Sequence, residues 1–205
     1  MLSLELEGIG KWFGERKVFE NLNLKLENPT CLAVIGPNGS GKTTLLRIIC
    51  GLIRPSQGKV SLKLDNQVVK KEAQGPFFSL VAPDLQLYDE LTAFENLKFF
   101  SQLRDAVYSK DNLMQKIEQV GLKKREDDLV SSYSAGMKQR LKYALALLSS
   151  SKILLLDEPS SNLDEEGILV MEQIIQQHQE VGIVILATND LKETQYAQQI
   201  FKLGN

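Results

Sequence analysis

Between Gly36 and Thr44 the chain reads Gly-Pro-Asn-Gly-Ser-Gly-Lys-Thr-Thr. Gly36, Gly41, Lys42 and Thr43 stand at the spacing G-x-x-x-x-G-K-[ST], the pattern of a phosphate-binding loop. Glycines let backbone N–H groups turn inward around an anion, and a helix start behind them adds free donors and partial positive charge. In such a loop Lys42 reaches the β- and γ-phosphates of a nucleotide and the Thr43 hydroxyl ligates Mg²⁺. Pro37, Asn38, Gly39, Ser40 and Thr44 complete the expected cradle. The plainer reading is a chance glycine-rich turn, and the flanks argue against it. Cys31–Ile35 is an apolar run suited to a buried parallel strand, and Leu45–Cys50 continues as a helix, so the loop sits in the strand–loop–helix context that it requires.

A second chemical constellation lies far downstream. Ile153-Leu154-Leu155-Leu156 reads as a buried strand, and two carboxylates, Asp157 and Glu158, follow it. Ligands of open α/β sheets bind at the carboxyl ends of the strands. Asp157 therefore fits a group that positions Mg²⁺, and Glu158 fits a general base polarising an attacking water. An ordinary strand followed by an acidic loop is the alternative, and the intact phosphate loop weighs against it.

These groups need a frame. Leu2–Glu7 alternates as a strand, Lys17–Phe19 and Leu22–Leu26 resume the pattern, and Asn28-Pro29 breaks it before the phosphate-loop strand. Gly51 and Pro55 stop the first helix. Gly58–Leu64 and Phe77–Val81 read as strands. Thr92-Ala93-Phe94-Glu95 has the form of a capping box, and Leu97, Phe100, Leu103 and Arg104 follow at helical spacing. Leu113–Val120 makes a second helix and a third starts near Ala135. Beyond Glu158, Glu165–Glu180 is a helix, Ile183–Ala187 a strand, Lys192–Gln199 a final helix, and Ile200–Leu203 a short edge strand. The fold class is α/β: a P-loop core with an N-terminal β layer at about 1–87 and 151–205, and a helical insert at about 88–150.

Composition bounds the rest. The 205 residues contain 43% hydrophobic side chains, enough for a full core in one domain. Net charge is −2, with both signs interspersed, which argues against nucleic acid as a partner. The run Lys123-Lys124-Arg125 is followed at once by Glu126-Asp127-Asp128 and reads as a solvated loop. Cys31 and Cys50 lie in apolar runs and read as buried small hydrophobes, and neither has zinc-ligand spacing. The N-terminus lacks the regions of a signal peptide, and no run approaches a membrane span. A cytoplasmic protein is expected, reaching any membrane through a partner.

Tyr133-Ser134-Ala135-Gly136-Met137-Lys138-Gln139-Arg140 resembles the signature segment of ABC ATPases, usually Leu-Ser-Gly-Gly-Gln. Ser134 and Gly136 match; Tyr133, Ala135 and Met137 depart, in a form familiar among bacterial exporter ATPases. A capped amphipathic helix with no catalytic role would also explain Ser134. The resemblance spans nearly the whole chain and implies an ABC ATPase fold. It implies an ATP- and Mg²⁺-dependent hydrolase that works as a homodimer or a heterodimer with a second ABC ATPase. Ser134, Gly136 and Met137 of one copy would close on the γ-phosphate held by the other. Phe13 takes the position of the aromatic that stacks on adenine, with Trp12 as its alternative. Ser160–Asp164 looks like the D-loop, and Leu91–Leu97 like the stretch after the Q-loop.

Two positions depart from the family. The Q-loop glutamine falls on Pro83, or on Asp84 with a one-residue shift, and the switch histidine falls on Asn189. His178 lies earlier, on a polar helix, and is expected to face solvent. The resemblance implies integral-membrane permease subunits as partners and a place on the cytoplasmic face of the membrane. The compact length, ending at Lys202–Asn205, is similar to the haem-exporter ATPases of cytochrome c maturation, and no C-terminal regulatory domain is expected. The rivals are a soluble ABC ATPase acting on ribosomes or DNA, whose paired cassettes or long coiled coils are missing, and a binding module that hardly hydrolyses.

Overall fold

The computed structural model describes residues 1–103 and 108–204, so Arg104 lies outside the described residues. The chain divides into two compact units, one of Met1–Leu80, Ser151–Pro159 and Ile175–Asn205, the other of Val81–Ser150 and Ser160–Ile174. The helices expected at about 88–150 fall in the second unit, which also takes Ser160–Ile174.

The first unit opens with two long strands, β1 (Leu2–Phe13) and β2 (Arg16–Glu27), paired antiparallel. The two short strands expected at Lys17–Phe19 and Leu22–Leu26 are one strand, irregular where Asn21 turns to a positive φ of 52°. Next come β3 (Thr30–Ile35), α1 (Lys42–Ile49), β4 (Gln57–Leu64), β5 (Gln67–Val68) and β6 (Phe78–Val81). In the second unit follow α2 (Ala93–Gln102), α3 (Lys110–Gln119) and α4 (Ala135–Ala146). The chain ends with β7 (Ile153–Asp157), α5 (Glu165–Gln179), β8 (Ile183–Thr188) and β9 (Gln199–Lys202).

Two sheets result: a four-stranded one in the order β2-β1-β4-β5, and a five-stranded one in the order β6-β7-β8-β3-β9. Every residue of β7 and β8 is buried, as parallel strands covered on both faces should be. Leu4, Leu6 and Ile9 of β1, Leu45 and Ile49 of α1, and Ile185 of β8 share one apolar cluster, so both sheets and α1 close a single core. β8 pairs in parallel with β3 on one side and β7 on the other. Ile35 faces Thr188 and Asp157 faces Ala187, so three strand ends stop level with one another.

The final helix expected at Lys192–Gln199 is not formed. A 3-10 turn occupies Leu191–Tyr196, and β9 starts at Gln199. The reason lies in β3, whose outer side needs backbone partners: Gln198 N–H donates to Cys31 O at 2.9 Å and residues 199–202 pair with 32–35. A helix through Gln199 would leave those groups unmatched. His178 also departs from expectation. Its ring is half-buried with Nε2 enclosed by the surrounding chain, and that burial pulls its pKa below the usual histidine value. Cys31 is buried as expected, whereas Cys50 is only partly so.

In the second unit α2, α3 and α4 pack on one another. Thr92 caps α2 as the sequence predicts: Glu95 N–H donates to Thr92 Oγ1 at 3.1 Å, and Thr92 N–H donates to Glu95 Oε2 at 2.9 Å. Lys123 and Arg125 are exposed and pair with Glu118 and Asp128. Among the described residues no helix is long and apolar enough to cross a membrane. Thr92→Ala, which removes one half of the capping box, should lower the unfolding free energy by about 1 kcal/mol, whereas Thr92→Ser should stay near wild type. Chemical denaturation followed by far-UV circular dichroism measures both.

Candidate active site

The level ends of β3, β7 and β8 deliver the chemistry. β3 runs into the glycine loop and α1, β7 runs into Glu158, and β8 runs into Asn189. Gly41 caps α1 with φ 101°, a left-handed conformation that a side chain would strain, and Val18 leaves no room for one. Gly36 is fixed differently. A Cβ there would collide with the backbone carbonyl of Leu203, so the loop starts pressed against the chain that leaves β9. The first turn of α1 carries no acidic residue, which keeps its positive end free of internal countercharge.

Lys42 is only 6% exposed, and a buried ammonium must be paired. Its Nζ donates to Gly36 O at 2.9 Å and to Pro37 O at 3.4 Å, and stands 3.5 Å from Glu158 Oε1. Thr43 Oγ1 donates to Asp157 Oδ2 at 2.7 Å. Two residues far apart in the sequence thus place a hydroxyl and a carboxylate oxygen side by side. Glu158 has a positive φ of 48°, rare for a residue with a side chain, and its N–H donates to Ala187 O at 2.8 Å. The backbone strain falls on one of the predicted site residues, where strain often accompanies function. Asn189 Nδ2 donates to Asn38 Oδ1 at 3.0 Å, so the end of β8 touches the glycine loop directly.

A cleft of about 630 Å³ opens over these groups. Its lining includes Phe13, Asn38, Gly39, Lys42, Thr44 and Glu158. That volume lies within the usual range for small-molecule sites. Phe13 is 52% exposed, not buried in the β layer, and the Lys11 ammonium sits 4.7 Å from its ring centroid. Trp12 is engaged elsewhere, lying where a Cβ on Gly10 would be, 2.5 Å from its ring. Phe13 is therefore the aromatic presented to the cleft. Ser40 is turned inward, its Oγ buried. Sequence reading missed Arg16 and Val18, which also line the cleft. Arg16 pairs with Phe13 across the β1–β2 turn, a proximity that alternation alone does not reveal.

Ser134, Gly136 and Met137 belong to the second unit, and the residues lining the cleft do not include them. There Ser134 caps α4, with Met137 N–H donating to its Oγ at 3.2 Å. Tyr133 is buried, its hydroxyl donates to Arg125 O at 2.6 Å, and burial pushes its pKa up to about 12. Pro83 and Asp84 lie in a turn after β6, also in the second unit.

The sequence profile of the ABC transporter family matches residues 19–161. The chain belongs to the ABC transporter ATP-binding family. This family member is 35% identical to the ABC transporter ATP-binding protein YybJ of Bacillus subtilis over 93% of its own length and 86% of that relative. It is 33% identical to the cytochrome c biogenesis ATP-binding export protein CcmA of Vibrio parahaemolyticus, over 90% of each chain. Among solved structures, the post-hydrolysis dimer of the ATP-binding cassette MJ0796 bound to ADP and Pi shares its fold, with a TM-score of 0.84 and 23% identity. The likeness covers 98% of this chain and 94% of that one. The ABC ATPase fold expected from the sequence is thus the fold observed.

Lys42→Ala should abolish measurable ATP binding and turnover, since it removes the cation enclosed by the loop. Equilibrium binding of a fluorescent ATP analogue checks this, and wild-type affinity in the variant would reject Lys42 as a phosphate contact.

Proposed function

We propose that this chain is the ATP-binding and hydrolysing subunit of an ABC transporter, driving transport through separate integral-membrane permease subunits from the cytoplasmic face of the membrane. The observation that carries the reading is the meeting of Lys42, Thr43, Asp157 and Glu158 beneath one cleft edged by Phe13, in a chain of the ABC transporter family. The relatives include export proteins of cytochrome c biogenesis and a lantibiotic transport protein. Their cargoes differ, so the reading concerns energy coupling and leaves cargo to the permease.

The residues divide the work. Phe13 stacks on the adenine ring, an aromatic face against a flat base. The triphosphate lies in the loop Gly36–Thr44, over the N-terminus of α1. Lys42 exchanges the carbonyls of Gly36 and Pro37 for β- and γ-phosphate oxygens. Thr43 Oγ1 and Asp157 Oδ2 are hard oxygen donors, adjacent at 2.7 Å, of the kind that Mg²⁺ takes alongside nucleotide phosphates. Bound there, Mg²⁺ would neutralise charge developing on the phosphoryl oxygens. Glu158 is the general base: its carboxylate takes a proton from the water that attacks the γ-phosphorus, the bond to the β-phosphate oxygen breaks, and ADP and phosphate leave. Asn189 donates through Nδ2 to a γ-phosphate oxygen in place of the family's histidine, neutral where an imidazole can be cationic. Two copies, or this chain and a homologue, sandwich two nucleotides, each lending Ser134, Gly136 and Met137 to the other's γ-phosphate.

Glu158→Gln should bind ATP normally and accumulate as an ATP-dependent dimer, because the proton acceptor is lost while Asp157 and Thr43 remain. Size-exclusion chromatography with ATP measures it. A variant that stays monomeric and hydrolyses at the wild-type rate would reject Glu158 as the base.

Asn189→Ala should slow single-turnover hydrolysis by more than it weakens ATP binding, since the contact matters most as charge builds on the γ-phosphoryl oxygens. Asn189→His should leave affinity similar and turnover no lower. Hydrolysis by Asn189→Ala as fast as wild type would remove Asn189 from the site.

A further inference from the structure

Lys142 lies on α4 and reaches the segment that follows β6. Its Nζ donates to Pro83 O at 2.7 Å and to Ala82 O at 3.4 Å. One turn earlier, Lys138 Nζ donates to Asp89 Oδ1 at 2.7 Å. Positions four apart share a helix face, so two ammonium groups of α4 grip both ends of residues 82–89. The near end is a tight turn, closed by Leu85 N–H donating to Ala82 O at 3.1 Å. Proline suits the second place of such a turn. Pro83 has no N–H and no polar side-chain atom, so only its carbonyl offers a polar attachment, and only a donor can take it. Lys142 supplies that donor. The ammonium is drawn partly out of solvent to do so, and burial pulls its pKa below the ordinary lysine value against the opposing pull of Asp84. The far end has backbone support of its own, Ser131 N–H to Asp89 O at 2.9 Å and Tyr88 N–H to Asn96 Oδ1 at 2.9 Å. A cavity of about 410 Å³, lined in part by Leu85, Gln86 and Gln139, has both lysines in its wall.

We propose that Lys142 is a positioning residue of the ATPase cycle, its ammonium fixing the turn Ala82–Leu85 to α4 so that the turn follows the helix whose first residue succeeds Ser134. The inference rests on the reading of that helix start as a contact for γ-phosphate. In the resemblance the Q-loop glutamine position falls on Pro83, or on Asp84 with a one-residue shift, and at Pro83 Lys142 provides from the neighbouring helix the polar hold that a proline side chain lacks.

The test uses the full chain with Lys142→Met and Lys142→Arg. Amide hydrogen exchange across residues 82–89 is measured with steady-state ATP turnover, and the thermal midpoint reports global folding. In Lys142→Met the turn should exchange at least about tenfold faster, the factor expected for one lost charge-assisted hydrogen bond. Its kcat should fall while KM for ATP stays within about twofold, because the nucleotide cleft is untouched. Lys142→Arg should restore both. Wild-type exchange in Lys142→Met, faster exchange with unchanged kcat, or an arginine variant that behaves like the methionine one would each overturn the proposal. If Lys142→Met does not fold, Lys142→Gln makes the same comparison with a neutral donor. A wild-type chain without ATP turnover would instead overturn the reading of the site, and the exchange comparison would still decide whether Lys142 holds the turn.

Discussion

Everything at the candidate site depends on the register of β8 between β3 and β7. Ile35 opposite Thr188 and Ala187 opposite Asp157 bring three strand ends to one level. Thr43 can meet Asp157, and Asn189 can meet Asn38, only because of that level. A one-residue slip of a strand sends its side chains to the opposite face. The apolar cluster that includes Val34, Leu155 and Ile185 forbids such a slip, since it would exchange the side chains packed on each face of the sheet. Core packing, not the polar contacts, therefore sets the distances among the polar groups.

A second theme is the cation held by backbone carbonyls. Lys42 takes those of Gly36 and Pro37. Lys142 takes those of Ala82 and Pro83. Arg140, 5% exposed, donates to Gly121 O at 3.2 Å and pairs with Glu166 at 2.9 Å. A carbonyl carries only a partial charge, so it steadies a cation less firmly than a carboxylate does. For Lys142 and Arg140 the contact serves to fix a turn. For Lys42, which also has the Glu158 carboxylate 3.5 Å away, it leaves a charge near the cleft that a polyanionic ligand can claim.

The local parts of the fold were legible because local chemistry decides them. The strand before the glycine loop, the capping box at Thr92 and the strand ending in Asp157 each carry a pattern that tertiary context did not override. The Lys192–Gln199 segment was misread because its helical composition competes with an unfilled edge of β3, which is visible only once β3 has been placed. The partial burial of His178 was hidden for a similar reason, since a polar helix end gives no sign that other chain covers it. Glu158 and Asn189 could be placed after their strands from sequence, yet the left-handed backbone of one and the Asn38 contact of the other come from the sheet's register. Arg16 and Lys142 carried no motif. Their partners are set by pairing across a hairpin and across a loop, and sequence spacing is silent on both.

The carbonyl of Leu203 pressing on Gly36 has a consequence for how the chain acquires its shape. Leu203 N–H also donates to Ile35 O at 2.8 Å, so the residue before the glycine loop is tied to the stretch leaving β9. During synthesis the loop emerges early and its backing strand emerges late. Until β9 docks, the first corner of the loop has no wall behind it. The most recognisable motif of the sequence is thus moulded by a short edge strand far from it in the chain, and its geometry belongs to the finished sheet rather than to the nascent segment that spells it.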